Sequence, residues 1–291
     1  MHGTCFKCRT QFIRLLPSFE SDRLSGLFAI GNLSEISAYP ELRRGDHMAT
    51  TPALNSMGSP MSHPGISLRR AAVTAGFGVL IMAVAAPFAY VYVWPTLVIP
   101  GQIEQTVQNI TAHQGLFKAG LVGFLITFLC DVLVAWALYH LLAPINRAVS
   151  LLAAWFQVVY AAIALSALSN VVTAYRLVRT SDHLSVIGSD QLHAQVQLLL
   201  KTFMYEWGLG MLLFAIHLGL VGYLVYRSGY IPKILGVLLS AASVGYVIGE
   251  LNPYLFPGVD LEFIVITSGI VELVFMLWLL IGGWKIPEPA V

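Results

Sequence analysis

Asp131, His217 and Glu272 each fall near the middle of an apolar run long enough to cross a lipid bilayer. A charged side chain at the bilayer centre costs about 2.5 to 3.5 kcal/mol on insertion-based scales, so ionisable groups at that depth call for partners, water or a task. Carboxyl and imidazole groups bind and release protons, which suits proton-linked binding or transport of a small molecule. Facing acids equally suit a cation. The opposite reading is that each group is hydrogen-bonded inside the protein and serves as interhelical glue.

The residues around these three sharpen the pattern. Gly120, Gly123, Thr127, Asp131 and Ala135 recur three or four apart and so stack on one face of a helix. Small residues let a second backbone approach closely, which turns this face toward other helices. Thr127, one turn from Asp131, is expected to hydrogen-bond its carboxyl. Glu206, Gly210, Leu213 and His217 share a face of a later span, with Glu206 nearer its outer end. Ser268 and Gly269 precede Glu272 by one turn. Gly245 and Gly249 form a GxxxG pair, first of all a packing motif, and Ser243, Tyr246 and Glu250 lie on an adjoining face. Together Asp131, His217, Glu272, Glu206, Glu250 and Thr127 are the candidate ligand- or proton-binding residues. Gln157, Asn170 and Thr173 read as interhelical glue.

The elements that must position them are membrane helices. The chain is 57% hydrophobic and 11% charged, with a mean hydropathy of +0.75, far from the roughly 25% charged residues of a soluble domain. Six runs are expected to span, near Ala71 to Trp94, Phe117 to Leu142, Ala148 to Tyr175, Phe203 to Tyr226, Ile234 to Phe256 and Leu261 to Trp284. With no water to satisfy backbone groups in the hydrocarbon core, helices are the consistent choice. Arg69, Arg70, Arg147, Arg227, Lys233 and Lys285 fall on one side, which predicts cytoplasmic termini. Trp94, Tyr175, Tyr226, Tyr254 and Trp284 fall at the expected interfaces, as belt residues or as packing.

Ile103, Val107 and Ile110, and likewise Leu192, Val196, Leu199 and Phe203, recur at helical spacing in the two outer connections. Each set fits either a surface-lying amphipathic helix or the first turns of the next span. Residues 1 to 67 are rich in Ser, Pro, Gly and mixed charge, and are expected to form a disordered extension, with Met48, Met57 and Met61 as later potential starts. Cys5 and Cys8 make a CxxC, for which His2 or His47 would be improvised zinc partners.

Several functions lose support. A net charge of +1 without a basic stripe gives no reason to expect nucleic acid. There is no HExxH, GxSxG or Walker loop, and His140 and His217 do not match in depth as axial haem ligands, so neither catalytic residues, a metal nor a cofactor is expected.

The stretch Leu129-Cys130-Asp131-Val132, the turn Leu142-Ala143-Pro144-Ile145-Asn146-Arg147 and above all the run from His217 through Gly222, Tyr226, Arg227, Ser228, Gly229, Tyr230, Ile231, Pro232 and Lys233 to Gly236 resemble the bacterial membrane family named domain of unknown function 4386. The resemblance covers roughly residues 68 to 284. It implies a compact six-helix membrane domain without assigned activity, with Asp131, His217 and Glu272 at polar positions of the pattern; the long N-terminal extension departs from the family's usual short leader.

The expectation is thus an all-α, multi-pass protein of the inner or plasma membrane: six helices over residues 68–286, a short tail over 287–291 and both termini cytoplasmic. Its interior polar cluster binds or transports a small molecule or ion. The alternative is a sensor or assembly subunit whose cluster is structural, and an intramembrane enzyme is a third. The lipid bilayer is the expected partner, and a homodimer is one assembly that this size allows.

Overall fold

A computed structural model describes residues 66–179, 188–255, 258–259 and 261–287. The Cys5/Cys8 pair and nearly all of the extension expected to be disordered lie outside these residues. The remainder is helical, and six helices are long and apolar enough to cross a membrane: Leu68–Leu97, Gln114–Leu142, Arg147–Arg179, Ser189–Arg227, Lys233–Leu255 and Glu262–Ile281. They are the six expected spans, with ends moved by a few residues except in the fourth, which starts at Ser189 and not near Phe203. Large apolar side chains such as Phe77, Val84, Val91, Trp155, Leu209, Phe263 and Ile281 point outward from the bundle, which is where lipid would receive them.

Each span packs against the next in the chain, and the sixth packs back against the first, so the six form a closed ring. The closure is tight. A Cβ on Gly76 would lie 2.9 Å from the Leu280 side chain, and one on Gly283 would lie 2.9 Å from the Ala72 Cβ. At the same end the Arg69 Nε donates to the Ile286 carbonyl at 2.9 Å, which joins the two described ends of the bundle.

Local chemistry explains several departures from regular helix. Pro87 brings no backbone donor, and the first span widens into a π turn over Phe88–Val93 directly after it. The glycine stripe of the second span receives that turn: Gly123 lies against Ala89 and the Ala85 carbonyl, and Gly120 against Val93. The GxxxG pair of the fifth span packs on the sixth, Gly245 against Ser268 and Ile264 and Gly249 against Val265.

The two outer connections behave differently. Ile103–Ala112 is a separate helix, with Thr106 and Ile110 buried beneath it. The Thr106 hydroxyl accepts from the Ile99 amide at 3.0 Å and donates to the Gln102 carbonyl at 3.0 Å, which pins this cap helix to the turn before it. Residues 189 onward are instead the first turns of the long fourth helix, with Leu192, Val196, Leu200 and Phe203 buried. Tyr226, Tyr254 and Trp284 are exposed at span ends. Trp94 turns inward onto Phe203 and Phe124, and Tyr175 stacks on Phe117, so those two are packing residues.

Candidate functional site

Closure of the ring brings together side chains from helices that are not neighbours. Asp131, Gln157, His217 and Glu272 all lie roughly ten residues from the terminal end of their spans, about 15 Å deep at 1.5 Å per residue and hence near mid-membrane. Asp131 and Gln157 are each 1% exposed and His217 is 3% exposed. The Gln157 Nε2 donates to Asp131 Oδ1 at 2.6 Å. Tyr246 donates to Glu272 Oε1 at 2.6 Å, joining the fifth span to the sixth. Asp131 and Glu272 are close enough to interact electrostatically, as are Tyr160 and both acids.

Aromatic rings fill the space around these pairs. Phe214 sits among Tyr160, Tyr246 and His217, with ring centroids at 5.3, 5.5 and 6.0 Å. Trp207 donates from Nε1 to the Tyr160 hydroxyl at 3.1 Å. Toward the cap, Trp207 continues into a stack with Phe203, Phe124 and Phe128, and Trp94 covers its far side. The polar level is thus closed off from the cap end by edge-to-face and stacked rings, the arrangement that aromatic quadrupoles favour.

The six residues picked out from the sequence separate into two groups. Asp131 and Glu272 lie within electrostatic reach of each other. Glu250 is half-buried with Oε2 against Gly208 of the fourth span, and it interacts with Tyr160 and Tyr246. His217 is buried, but its Nδ1 lies 2.8 Å from the Ala153 carbonyl, which ties it to the third span's backbone. Glu206 is exposed and accepts from the Asn170 Nδ2 at 2.8 Å, outside the cluster. Thr127 does not serve the Asp131 carboxyl: its hydroxyl donates to the Gly123 carbonyl at 2.9 Å, the local back-bond that a mid-helix threonine readily makes. Gln157, expected as interhelical glue, joins the third span to the second through Asp131, and Tyr160, Trp207 and Phe214 are not among the residues that the sequence singles out. Gln157 and Tyr160 are three apart, and Trp207 and Phe214 share a face with Gly210, so the signal was periodicity within one face.

Among the described residues, no three His, Cys, Asp or Glu side chains gather closely enough to hold a metal ion. Buried side-chain oxygens without a hydrogen-bond partner include Asp131 Oδ2 and Gln157 Oε1, both on the pair already joined by one bond.

A ring of six apolar helices with a small buried polar cluster defines a multi-pass α-helical membrane protein. Its sequence matches the family described as Domain of unknown function (DUF4386) over residues 74–283, and the chain belongs to that family. It is also similar to an uncharacterized protein of Archaeoglobus fulgidus, 36% identical over 168 residues, which make up 58% of this chain and 86% of that protein. No solved structure matches.

Proposed function

We propose that the protein binds a small polar molecule or ion inside the helix ring, at the level of Asp131, Gln157, Tyr246 and Glu272, and moves it across the membrane. The observation that carries this reading is the pair of fully buried acceptors, Asp131 Oδ2 and Gln157 Oε1, left without a donor beside a second acid. A buried acceptor without a donor costs about 1 to 3 kcal/mol, so the two oxygens call for a hydrogen that these side chains, with Asp131 ionised, do not supply. An occupant that donates hydrogen bonds removes that penalty. The flanking rings of Phe214, Tyr160 and Tyr246 would give the same occupant an apolar wall, the usual mixture in a small-molecule site.

The test uses the detergent-purified full chain. Its thermal unfolding is screened against small primary amines, alkali cations and neutral polyols, and compounds that raise the midpoint are then assayed for flux in proteoliposomes. Stabilisation that is lost in Tyr246→Phe and Glu272→Gln, together with flux, supports the reading. A well-folded wild type that no compound stabilises refutes it and favours a sensor or assembly subunit with a structural cluster.

A further inference from the structure

We infer that Asp131 carries a proton in the state described here, held in a head-to-head acid–amide pair with Gln157, and that the ion this site exchanges is the proton. The inference deepens the interior-site reading above: the place of the proton rests on the geometry of the pair, and its exchange rests on that reading.

The argument begins with the inventory of donors and acceptors. An ionised carboxylate only accepts, and a glutamine amide has one accepting oxygen and one donating nitrogen. One bond between the two side chains is made, Gln157 Nε2 to Asp131 Oδ1 at 2.6 Å. What remains is one oxygen on each partner, Asp131 Oδ2 and Gln157 Oε1, both buried and both without a donor. Two leftover acceptors on one bonded pair lack a single hydrogen. A proton on Oδ2 turns that oxygen into a donor, and the carboxylic acid and the amide then complete a two-bond ring in which each side chain donates once and accepts once. The chemistry balances simply: the O–H bond forms on Oδ2 with a proton from water, and its cleavage returns the proton to water.

A metal cation fits the same two oxygens poorly. Hard cations collect roughly six or more oxygen ligands. The nearby Thr127 hydroxyl is committed to the Gly123 carbonyl, the adjoining backbone is continuous helix, and no metal-holding group of side chains exists among the described residues.

The surroundings of Asp131 set what its proton responds to. From the third span Tyr160 interacts with it, and from the sixth Glu272 does. Cys130 is its chain neighbour and interacts with it as well. The fifth span presents Tyr246, committed to Glu272, and Glu250, which acts on Tyr160. The fourth presents His217, bound to the Ala153 carbonyl. The first span meets this helix through Ala85, Ala89 and Val93, which carry no charge. No Lys or Arg is among these groups, and a neutral carboxylic acid is the form that this wall accommodates without a counter-ion.

Infrared spectroscopy of the full chain in lipid nanodiscs tests this, by the carbonyl stretch of protonated carboxylic acids. Wild type at neutral pH is expected to show such a band; isotope labelling of aspartate carboxyls should shift it, Asp131→Asn should remove it and Glu272→Gln should leave it. Gln157→Leu should move it to higher frequency, because the amide partner is gone. Exchange of sodium for potassium or choline should change nothing. Asp131→Asn reproduces the pair's two bonds with an amide and is expected to fold with an unfolding midpoint at or above that of wild type. No aspartate-labelled band in folded wild type, or a band that disappears on sodium addition, overturns the inference. The band without any stabilising solute sinks the solute reading and leaves the proton site standing; a stabilising solute without the band does the reverse.

Discussion

Gly236 lies where two helix backbones touch, and replacing it with alanine should loosen the hairpin between the fourth and fifth spans. An added Cβ would sit 2.5 Å from the Tyr226 amide nitrogen, 2.7 Å from the Gly222 carbonyl oxygen and 2.8 Å from the Tyr226 Cα. All three are backbone atoms, so no side chain can rotate away. Favourable carbon contacts begin near 3.5 Å, which means that the helices must part by about 1 Å. Overpacking of this kind costs typically 1 to 3 kcal/mol, and the upper half of that range fits a clash with backbone alone. By the scaling for chains of 150 to 250 residues this corresponds to roughly 4 to 12 °C in the unfolding midpoint. The assay is thermal unfolding of the detergent-purified protein followed by tryptophan fluorescence, with gel filtration to score folding. Gly115→Ala is the internal control, because nothing lies within 4 Å of the Cβ it adds. A Gly236→Ala protein that unfolds at the wild-type temperature would refute the reasoning.

Gly115→Ala itself should be neutral or stabilising by up to about 1 kcal/mol, because alanine is the better helix former; a loss in the same thermal scan would contradict this. Tyr246→Phe removes the donor to the partly buried Glu272 and should cost about 1 kcal/mol, read as a lowered denaturation midpoint in mixed detergent. Adding Glu272→Leu to it should recover part of that loss, and a double-mutant cycle measures how much. Tyr230, in the turn between the fourth and fifth spans, donates to the Leu141 carbonyl, and burial pushes its phenol from 10.0 up to about 12. Below pH 10 the phenol is neutral in both folded and unfolded chains and adds no pH dependence; between about 10 and 12 only the unfolded chain loses the proton, so stability falls. Tyr230→Phe should flatten that fall relative to wild type in alkaline unfolding series, and an unchanged slope would count against a buried phenol.

The membrane spans were legible because apolar composition over 20 or more residues is a local property of the chain, and the hairpin glycines stood out as a run of motif residues. Helix faces were legible to the same extent: the stripe through Gly120, Gly123, Thr127, Asp131 and Ala135 is buried throughout. What spacing alone does not convey is which helix each face meets. The glycines of that stripe receive the first span, while Asp131 finds Gln157 on the third. That Glu272 comes within electrostatic reach of Asp131 depends on the sixth span packing back against the first, a contact between elements far apart in sequence. Thr127 shows a different failure: its hydroxyl had two acceptors within reach, and the local backbone carbonyl won because no other chain segment has to be placed to reach it. Trp94 and Tyr175 sit at span ends as belt residues do, yet Trp94 turns onto Phe203 of the long fourth helix and Tyr175 onto Phe117 of the second, partners that lie far off in sequence.

The two acids at mid-membrane are not equivalent, and the difference follows from their partners. Inserting one carboxyl in a span costs about 2.5 to 3.5 kcal/mol, whereas each Leu, Ile, Phe or Val contributes roughly −0.3 to −0.6, so a single acid per span leaves insertion favourable. The penalty then falls on the folded bundle, where each carboxyl must find hydrogen bonds. Glu272 finds a hydroxyl donor in Tyr246, and that bond is available whether or not Glu272 holds a proton. Asp131 finds an amide whose own oxygen also needs a donor, and that need is met only when Asp131 is protonated. Hence loss of the proton breaks one bond at Asp131 and none at Glu272, and places a negative charge within reach of Glu272. Proton release at this level therefore weakens the contact between the second and third spans first.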